Sequence, residues 1–187
     1  MRTPTVASPP RGRDAVMTAI LDAAGELLAD RSPRELTVRE VAEHARVNHA
    51  LVHRHFGTKD ELLRAVLVRR SEAFGRAAAD LGADADSMLA LLTENADYWR
   101  ILARFVLDAP ELLPDLPAGA MVLARLGGAG AEDVRVAAAV AGSLALGWAV
   151  FGAHLDGALG SPDQQRVREL VAATVRGLLA RPRSDAN

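Results

Sequence analysis

The sequence predicts an all-α protein. Of its 187 residues, 50% are hydrophobic but only 4% are aromatic, so Ala, Leu and Val supply most of the apolar mass, which suits helix packing better than a β-sheet. Apolar residues recur at spacings of three and four over most of the chain, and several capping sequences mark helix starts. No stretch alternates apolar and polar residues as a half-buried strand would.

The N-terminal residues predict a basic arm followed by a first helix. Residues 1–13 contain three arginines, three prolines and no acidic residue, and they lack the apolar stretch of a secretory signal. We expect this arm to be mobile. From residue 14 to 30 the apolar residues follow helical spacing. The predicted buried stripe of this helix consists of Val16, Ile20, Ala23, Ala24, Leu27 and Leu28.

Two short helices and a longer one are predicted next. Residues 37–40 form a capping box, which begins a helix of about two turns that ends near Ala45. Asn48 is a favourable N-cap for a second short helix, which Gly57 ends. Residues 58–61 form another capping box and begin a longer helix. The predicted buried stripe of the longer helix consists of Leu62, Leu63, Val66 and Leu67.

The C-terminal half is also predicted to be helical. One helix runs from near Asp86 to Pro110, and three prolines then mark an irregular connector. A short helix ends at residues 127–128, and residues 131–156 form one long apolar helix. Residues 161–164 combine a capping box with proline at the first helical position, so they begin a last helix.

The helices of residues 14–68 have the layout of a helix-turn-helix unit. The second short helix, residues 49–56, is too short to be stable alone. We expect Val47, Val52 and Phe56 to pack inward and hold it in place. Polar and small side chains then remain outside, as a helix that lies in the major groove of DNA requires.

Several stretches resemble the DNA-binding domain of the tetracycline-repressor (TetR) family. They read ILDAA at 20–24, LTVREVA at 36–42, NHALVHRHF at 48–56 and TKDELL at 58–63. The resemblance implies a homodimeric, ligand-responsive transcription factor, most often a repressor. It also implies a helix-turn-helix DNA-binding domain after the arm, at 14–68, and a variable helical domain for effector binding and dimerisation, at 69–187.

By position, the resemblance implies phosphate contacts from Thr37 and Lys59 and base reading at the start of the second short helix. Leu51 stands where the family commonly has a polar Thr, which suggests apolar contact with a thymine methyl. Arg46 occupies a turn position where glycine is usual, which costs about 1 kcal/mol if the turn needs a positive φ. The predicted DNA-contacting residues are Thr37, Arg39, Asn48, His49, Ala50, Leu51, His53, Arg54, His55 and Lys59.

Four of the five histidines lie within twelve residues. His49 and His53 are one helical turn apart, as paired metal ligands can be, but a third ligand would have to come from the same small surface, so no metal is predicted. Solvated histidines without a role are a second interpretation. We favour a third, in which His53 and His55 face phosphate and gain charge as the pH falls. DNA binding should then be tighter at about pH 6 than at about pH 8.

Neither an enzyme nor a membrane protein is predicted. No serine lies in a nucleophile motif, and the glycine-rich stretch 127–130 follows a helix rather than the strand of a phosphate-binding loop. Residues 137–155 approach the length of a membrane span, but they are rich in Ala and Gly and have charged residues close to both ends. The preferred interpretation is a buried interface helix in a cytoplasmic protein that needs no cofactor.

Aromatic residues of the C-terminal half are candidates to line an effector pocket. For each of them alone, ordinary core packing is the alternative. As a set they indicate a small, largely apolar effector. These candidates are Tyr98, Trp99, Phe105, Trp148, Phe151 and His154.

The last two helices predict a homodimer. Ala139, Ser143 and Gly147 repeat every four residues and form a smooth strip that another helix can approach closely. Together with the apolar stripe at 167–178, this strip predicts a four-helix bundle between two copies. Two-fold symmetry places two recognition helices about 34 Å or a multiple apart, which implies a palindromic operator.

Charge and cysteine content narrow the function further. The formal net charge is −2, but residues 1–76 carry +3 and residues 77–187 carry −5. The near-neutral total therefore excludes only a DNA-binding protein with positive charge along its whole length. The positively charged N-terminal part remains suited to DNA. The absence of cysteine excludes disulfide scaffolds and thiolate metal sites.

Two other functions remain consistent with the sequence. One is a DNA-binding regulator without a small-molecule inducer. The other is a helical small-molecule-binding protein with weak or lost operator affinity, an alternative that Arg46 and Leu51 leave open.

Overall fold

A computed structural model of the chain describes residues 12–80, 87, 90, 91, 94–125, 132–160, 163, 166, 167, 169, 170, 173 and 174. These residues form helices, turns and loops, and no strand occurs among them, in agreement with the predicted all-α class. Most of the predicted arm and of the capping box at 161–164 lies outside the described residues, and Arg13 already belongs to the first helix.

The described helices follow one another along the chain, and a single 3₁₀ turn, Pro110–Leu112, lies among them. Their bounds are α1 Arg13–Asp30, α2 Val38–His44, α3 His49–Phe56, α4 Lys59–Asp80, α5 Ala96–Asp108, α6 Pro117–Arg125 and α7 Glu132–Leu159.

The chain divides into two compact units. Of the described residues, the first unit comprises those up to Leu67 together with Arg104–Pro114, and the second comprises those from Val68 to Ala103 and from Asp115 onward. Both α4 and α5 therefore contribute residues to each unit.

The core of the first unit follows the predicted helical stripes. Five of the six predicted residues of α1 are buried, and Leu27 is half-buried. All four predicted residues of α4 are buried as well. The segment Arg104–Pro114 adds Phe105, which is fully buried, and also Ala109 and Leu112. Phe105 therefore lies in the core of the unit that contains α1, α2 and α3.

The predicted helix from near Asp86 to Pro110 is interrupted in the structure. Its described residues Ser87, Ala90, Leu91 and Glu94 are helical, Asn95 forms a turn, and α5 begins after it at Ala96. The Asn95 side-chain amide donates to the carbonyl of Leu91 over 2.8 Å, so it satisfies a helical carbonyl at the break. Pro110 ends α5 as predicted.

In the second unit, α4 packs closely against α6. Ser71 is fully buried, and its hydroxyl accepts a hydrogen bond of 3.0 Å from the backbone N–H of Ala118. A Cβ added at Gly75 would lie 3.1 Å from Cβ of Met121, closer than ordinary van der Waals contact, so glycine favours the close approach of the two helices here. Along α7, Ala141 and Gly152 are buried. None of the helices in the described ranges has the length and apolar character needed to cross a membrane.

Candidate nucleic-acid interface

The predicted capping box at the start of α2 is present. Thr37 Oγ1 accepts from the Glu40 backbone N–H over 3.2 Å, and the Glu40 carboxylate accepts from the Thr37 backbone N–H over 2.9 Å. The pKa of the Glu40 carboxyl is lowered from 4.5 to about 2. The largest cause is the hydrogen bond from the Thr37 hydroxyl, and the second is the hydrogen bond from Arg31. The ionised carboxylate thus fixes the start of α2.

The turn between α2 and α3 is a Schellman motif with Arg46 at its left-handed position. The Val47 N–H donates to the Ala42 carbonyl over 2.9 Å, and the Arg46 N–H donates to the Glu43 carbonyl over 3.2 Å. This pair of bonds defines the motif. Arg46 has a φ of 56°, the one positive φ of a non-glycine residue in the described chain. The turn therefore does need a positive φ, the condition under which the sequence assigns a cost to Arg46.

Caps at both ends also hold α3. The Asn48 side-chain oxygen accepts from the Ala50 N–H over 2.9 Å, which confirms the predicted N-cap. At the other end Gly57 has a φ of 75°, and its N–H donates to the His53 carbonyl over 2.9 Å. A Cβ on Gly57 would collide with the Glu61 carboxylate, which closes the predicted capping box with Thr58.

One side of α3 packs inward and the other faces solvent. Val52 is buried, while Val47 and Phe56 are half-buried. An open cleft of about 500 Å³ between α2 and α3 is lined by Val38, Arg39, His49 and His53. Seven predicted DNA-contacting residues are exposed, namely Thr37, Arg39, Asn48, His49, Ala50, His53 and Arg54, and three are half-buried, namely Leu51, His55 and Lys59.

Two cations of this surface have partners within the chain. Arg39 pairs with Glu43 over 3.1 Å, and both side chains are largely exposed, so the pair can be exchanged for phosphate at little cost. Lys59 Nζ donates to the Arg34 carbonyl over 2.8 Å. An ammonium has three donors, so Lys59 can retain this bond while it contacts phosphate. Partial burial lowers the pKa of Lys59.

The histidines have different surroundings. His44 lies 2.7 Å from the carboxylate of Glu26, whereas His53 Nδ1 lies 2.9 Å from the Gly57 carbonyl. Since a carbonyl only accepts, Nδ1 of His53 holds the proton and Nε2 is left for another partner. Within the described ranges, no three His, Asp or Glu side chains are placed to share a metal ion.

The predicted effector residues are distributed over both units. Tyr98 and Trp99 are buried in the second unit, where their rings contact Phe74, which is not among the predicted effector residues. Phe105 lies in the first unit, and Phe151 is 58% exposed. Trp148 and His154 belong to α7, but their side chains are not among those that the structure describes.

A short exposed helix, held by caps and by two supporting helices, defines a helix-turn-helix protein. The family model described as "Bacterial regulatory proteins, tetR family" matches residues 20–66. Over 156 residues, the chain is 38% identical to the HTH-type transcriptional repressor Rv3405c of Mycobacterium tuberculosis, a match that covers 81% of each protein. The chain belongs to the TetR family of transcriptional regulators. As the sequence predicts, it is a regulator and not an enzyme.

Solved structures agree with this fold. A TetR-family regulator from Streptomyces coelicolor superposes with a TM-score of 0.65 at 19% identity and covers 90% of this chain and 80% of its own. Salmonella enterica GusR gives a TM-score of 0.64 at 14% identity, with 88% and 95% of the two chains covered.

Proposed function

We propose that this regulator is a cytoplasmic repressor that binds a palindromic operator as a homodimer and is released by a small, largely apolar effector. The observation that supports it most directly is the outward face of α3, where Asn48, His49, Ala50, His53 and Arg54 are exposed while both helix ends are capped. A rigid helix with polar and small side chains on its free face suits the major groove. The name of the relative Rv3405c supports repression.

The proposed DNA contacts divide into positioning and reading. Thr37, Arg39 and Lys59 flank α3 and would contact the phosphate backbone, which fixes the register of the helix. At the start of α3, His49 would read a base edge. Leu51 is half-buried, so its exposed portion would meet a thymine methyl.

The proposed dimer uses the apolar surface of α7. Large apolar side chains remain exposed along this helix at helical spacing, and a monomer rarely leaves so continuous an apolar face in water. Ala139 and Ser143 are exposed and Gly147 is half-exposed, so the predicted strip of small residues is available. Among the side chains of α7 that the structure describes, the exposed large apolar ones are Val136, Leu144, Val150, Phe151 and Leu155.

We propose residues 14–68 as the DNA-binding domain and 69–187 as the domain for effector binding and dimerisation. Within the latter, Tyr98 and Trp99 are the best supported effector residues because they are buried together. Phe105 is better explained as core of the first unit, and Phe151 as part of the dimer surface.

DNA binding can be tested by a mobility-shift assay with the DNA that flanks the gene, in excess unrelated DNA. We expect saturable binding that weakens with salt and falls by about tenfold or more in His49→Ala and Lys59→Ala, since a lost base or phosphate contact has this magnitude. Arg100→Ala is a matched control, because Arg100 pairs with Asp97 over 2.5 Å in the second unit. Folded protein that fails to bind at low salt would favour the small-molecule-binding alternative.

A further inference from the structure

The indole N–H of Trp99 is buried without a hydrogen-bond acceptor. Trp99 is 8% exposed, and its Nε1 has no partner in the described part of the chain. Buried tryptophan N–H groups usually find an acceptor, because an unpaired donor loses its hydration without compensation. The donor of Trp99 is therefore available to a ligand.

The surroundings of this donor are aromatic. The Phe74 and Tyr98 rings stack with centroids 4.8 Å apart, and the Trp99 ring is inclined to them by 80° and 60°, with centroids 5.2 and 5.1 Å away. Such edge-to-face contacts are favourable. They hold the indole ring in one orientation and so fix the direction of its N–H.

The neighbouring hydroxyls are already paired. The Tyr98 hydroxyl hydrogen-bonds to Ser71, and Ser71 accepts from the Ala118 N–H over 3.0 Å. The Ser71 and Tyr98 hydroxyls thus have partners in the chain, whereas the indole N–H has none among the described residues.

Gly142 of α7 lies beside one edge of the indole ring. A Cβ added at Gly142 would lie 3.9 Å from Cη2 of Trp99, so the backbone of α7 passes near the ring. Because Gly142 has no side chain, it places nothing over this edge. Gly142 thus contributes no bulk that a ligand at this edge would have to displace.

We propose that Trp99 is the polar anchor of the effector site and that the effector is an uncharged, mainly apolar molecule with a carbonyl-type oxygen that accepts from its indole N–H. This inference rests on one part of the proposed function, namely that a small-molecule effector binds the second unit. Burial raises the pKa of Tyr98, and the same loss of hydration disfavours an ionised group on the ligand. The rings of Phe74, Tyr98 and Trp99 provide the apolar contact.

Two probes of nearly equal shape test the proposal. Acetophenone has a carbonyl, and isopropylbenzene has a CH–CH₃ group in its place. Each is titrated into ¹⁵N-labelled full-length protein and followed in the ¹H–¹⁵N spectrum, where the two tryptophans give two indole signals that Trp99→Phe assigns. We expect acetophenone to bind roughly three- to tenfold more tightly than isopropylbenzene and to shift the Trp99 signal downfield.

The same pair of probes on Trp99→Phe completes a double-mutant cycle in which the loss of ring packing cancels. The preference for acetophenone should disappear. Three results with the wild type would overturn the proposal: equal affinities for the two probes, a Trp99 signal that does not move, or binding of neither probe. Because these results come from the wild type, they decide the question even if Trp99→Phe does not fold. Operator binding is measured separately by mobility shift. If apolar compounds release the protein from DNA equally well in the wild type and in Trp99→Phe, the role of Trp99 is refuted but the regulatory function is not. If the protein does not bind DNA at all, the regulatory function is refuted but the role of Trp99 in ligand binding is not.

Discussion

The guanidinium of Arg34 lies 2.9 Å from the carboxylate of Glu111, and its Nε donates to the carbonyl of Asp108. These bonds join the loop between α1 and α2 to the segment Arg104–Pro114, which belongs to the same compact unit. The carbonyl of Arg34 in turn accepts from Lys59. Arg34 therefore connects this distant segment with a proposed phosphate contact.

We expect burial, more than this ion pair, to hold the segment in place. Phe105 is fully buried, so Phe105→Ala should lower the free energy of unfolding by about 3–5 kcal/mol. Both partners of the ion pair are more than half exposed, so Glu111→Gln should cost less than about 1 kcal/mol. Urea unfolding of both variants provides the comparison, and equal losses would contradict this order.

The capping box at the start of α2 predicts a dependence of stability on pH. Because the pKa of Glu40 is about 2 in the fold against 4.5 ordinarily, the unfolded chain binds more protons between these values. The stabilisation is complete above pH 4.5 and disappears as the pH falls toward 2. Thermal unfolding of Glu40→Gln should lack this part of the acid dependence. Glu35→Gln is the control, since Glu35 caps no helix. If both variants lost the same part of the acid dependence, the assignment of this dependence to Glu40 would be refuted.

The turn before α3 predicts an effect of backbone strain. Glycine has no Cβ penalty at the φ of 56° found for Arg46. Arg46→Gly should therefore be more stable than Arg46→Ala by about 0.5–1 kcal/mol, after allowance for the greater freedom of glycine in the unfolded state. Both variants lose the arginine side chain, so their difference in chemical denaturation reports the backbone. A more stable alanine variant would argue against a strained turn.

The apolar face of α7 predicts a dimer that one charge disrupts. Phe151 is 58% exposed, and Phe151→Glu would place a carboxylate in the proposed interface, where charge is poorly tolerated. Light scattering should show a dimer for the wild type and a monomer for the variant. Ala124→Glu adds the same charge at an exposed position of α6 and should remain dimeric. A monomeric wild type, or a dimeric Phe151→Glu, would exclude this interface.

Local chemistry made the N-terminal helices predictable. Capping residues, helical spacing and the family resemblance lie within short stretches, so the sequence indicates where α2 and α3 begin and end, and the structure agrees. The stripe of α4 could have been followed further: Phe74 lies seven residues after Leu67, on the same helical face.

Long-range packing was not predictable in the same way. Trp99, Leu102 and Phe105 follow one another at intervals of three residues in the same apolar pattern. No local feature of this pattern shows that Phe105 packs in the unit of α1 to α3 while Trp99 packs in the other unit. The break at Asn95 contains neither proline nor glycine, so no strong breaker indicates it. The partners of Arg34 are likewise distant in sequence.

Selection of DNA from a random pool by wild type and by Leu51→Thr tests most directly whether α3 reads the operator. We expect the wild type to enrich a palindrome and Leu51→Thr to change the preferred base at the same position of both half-sites, because a hydroxyl replaces a group that contacts a thymine methyl. Enrichment of a sequence without two-fold symmetry, or the same preference in both proteins, would contradict this account.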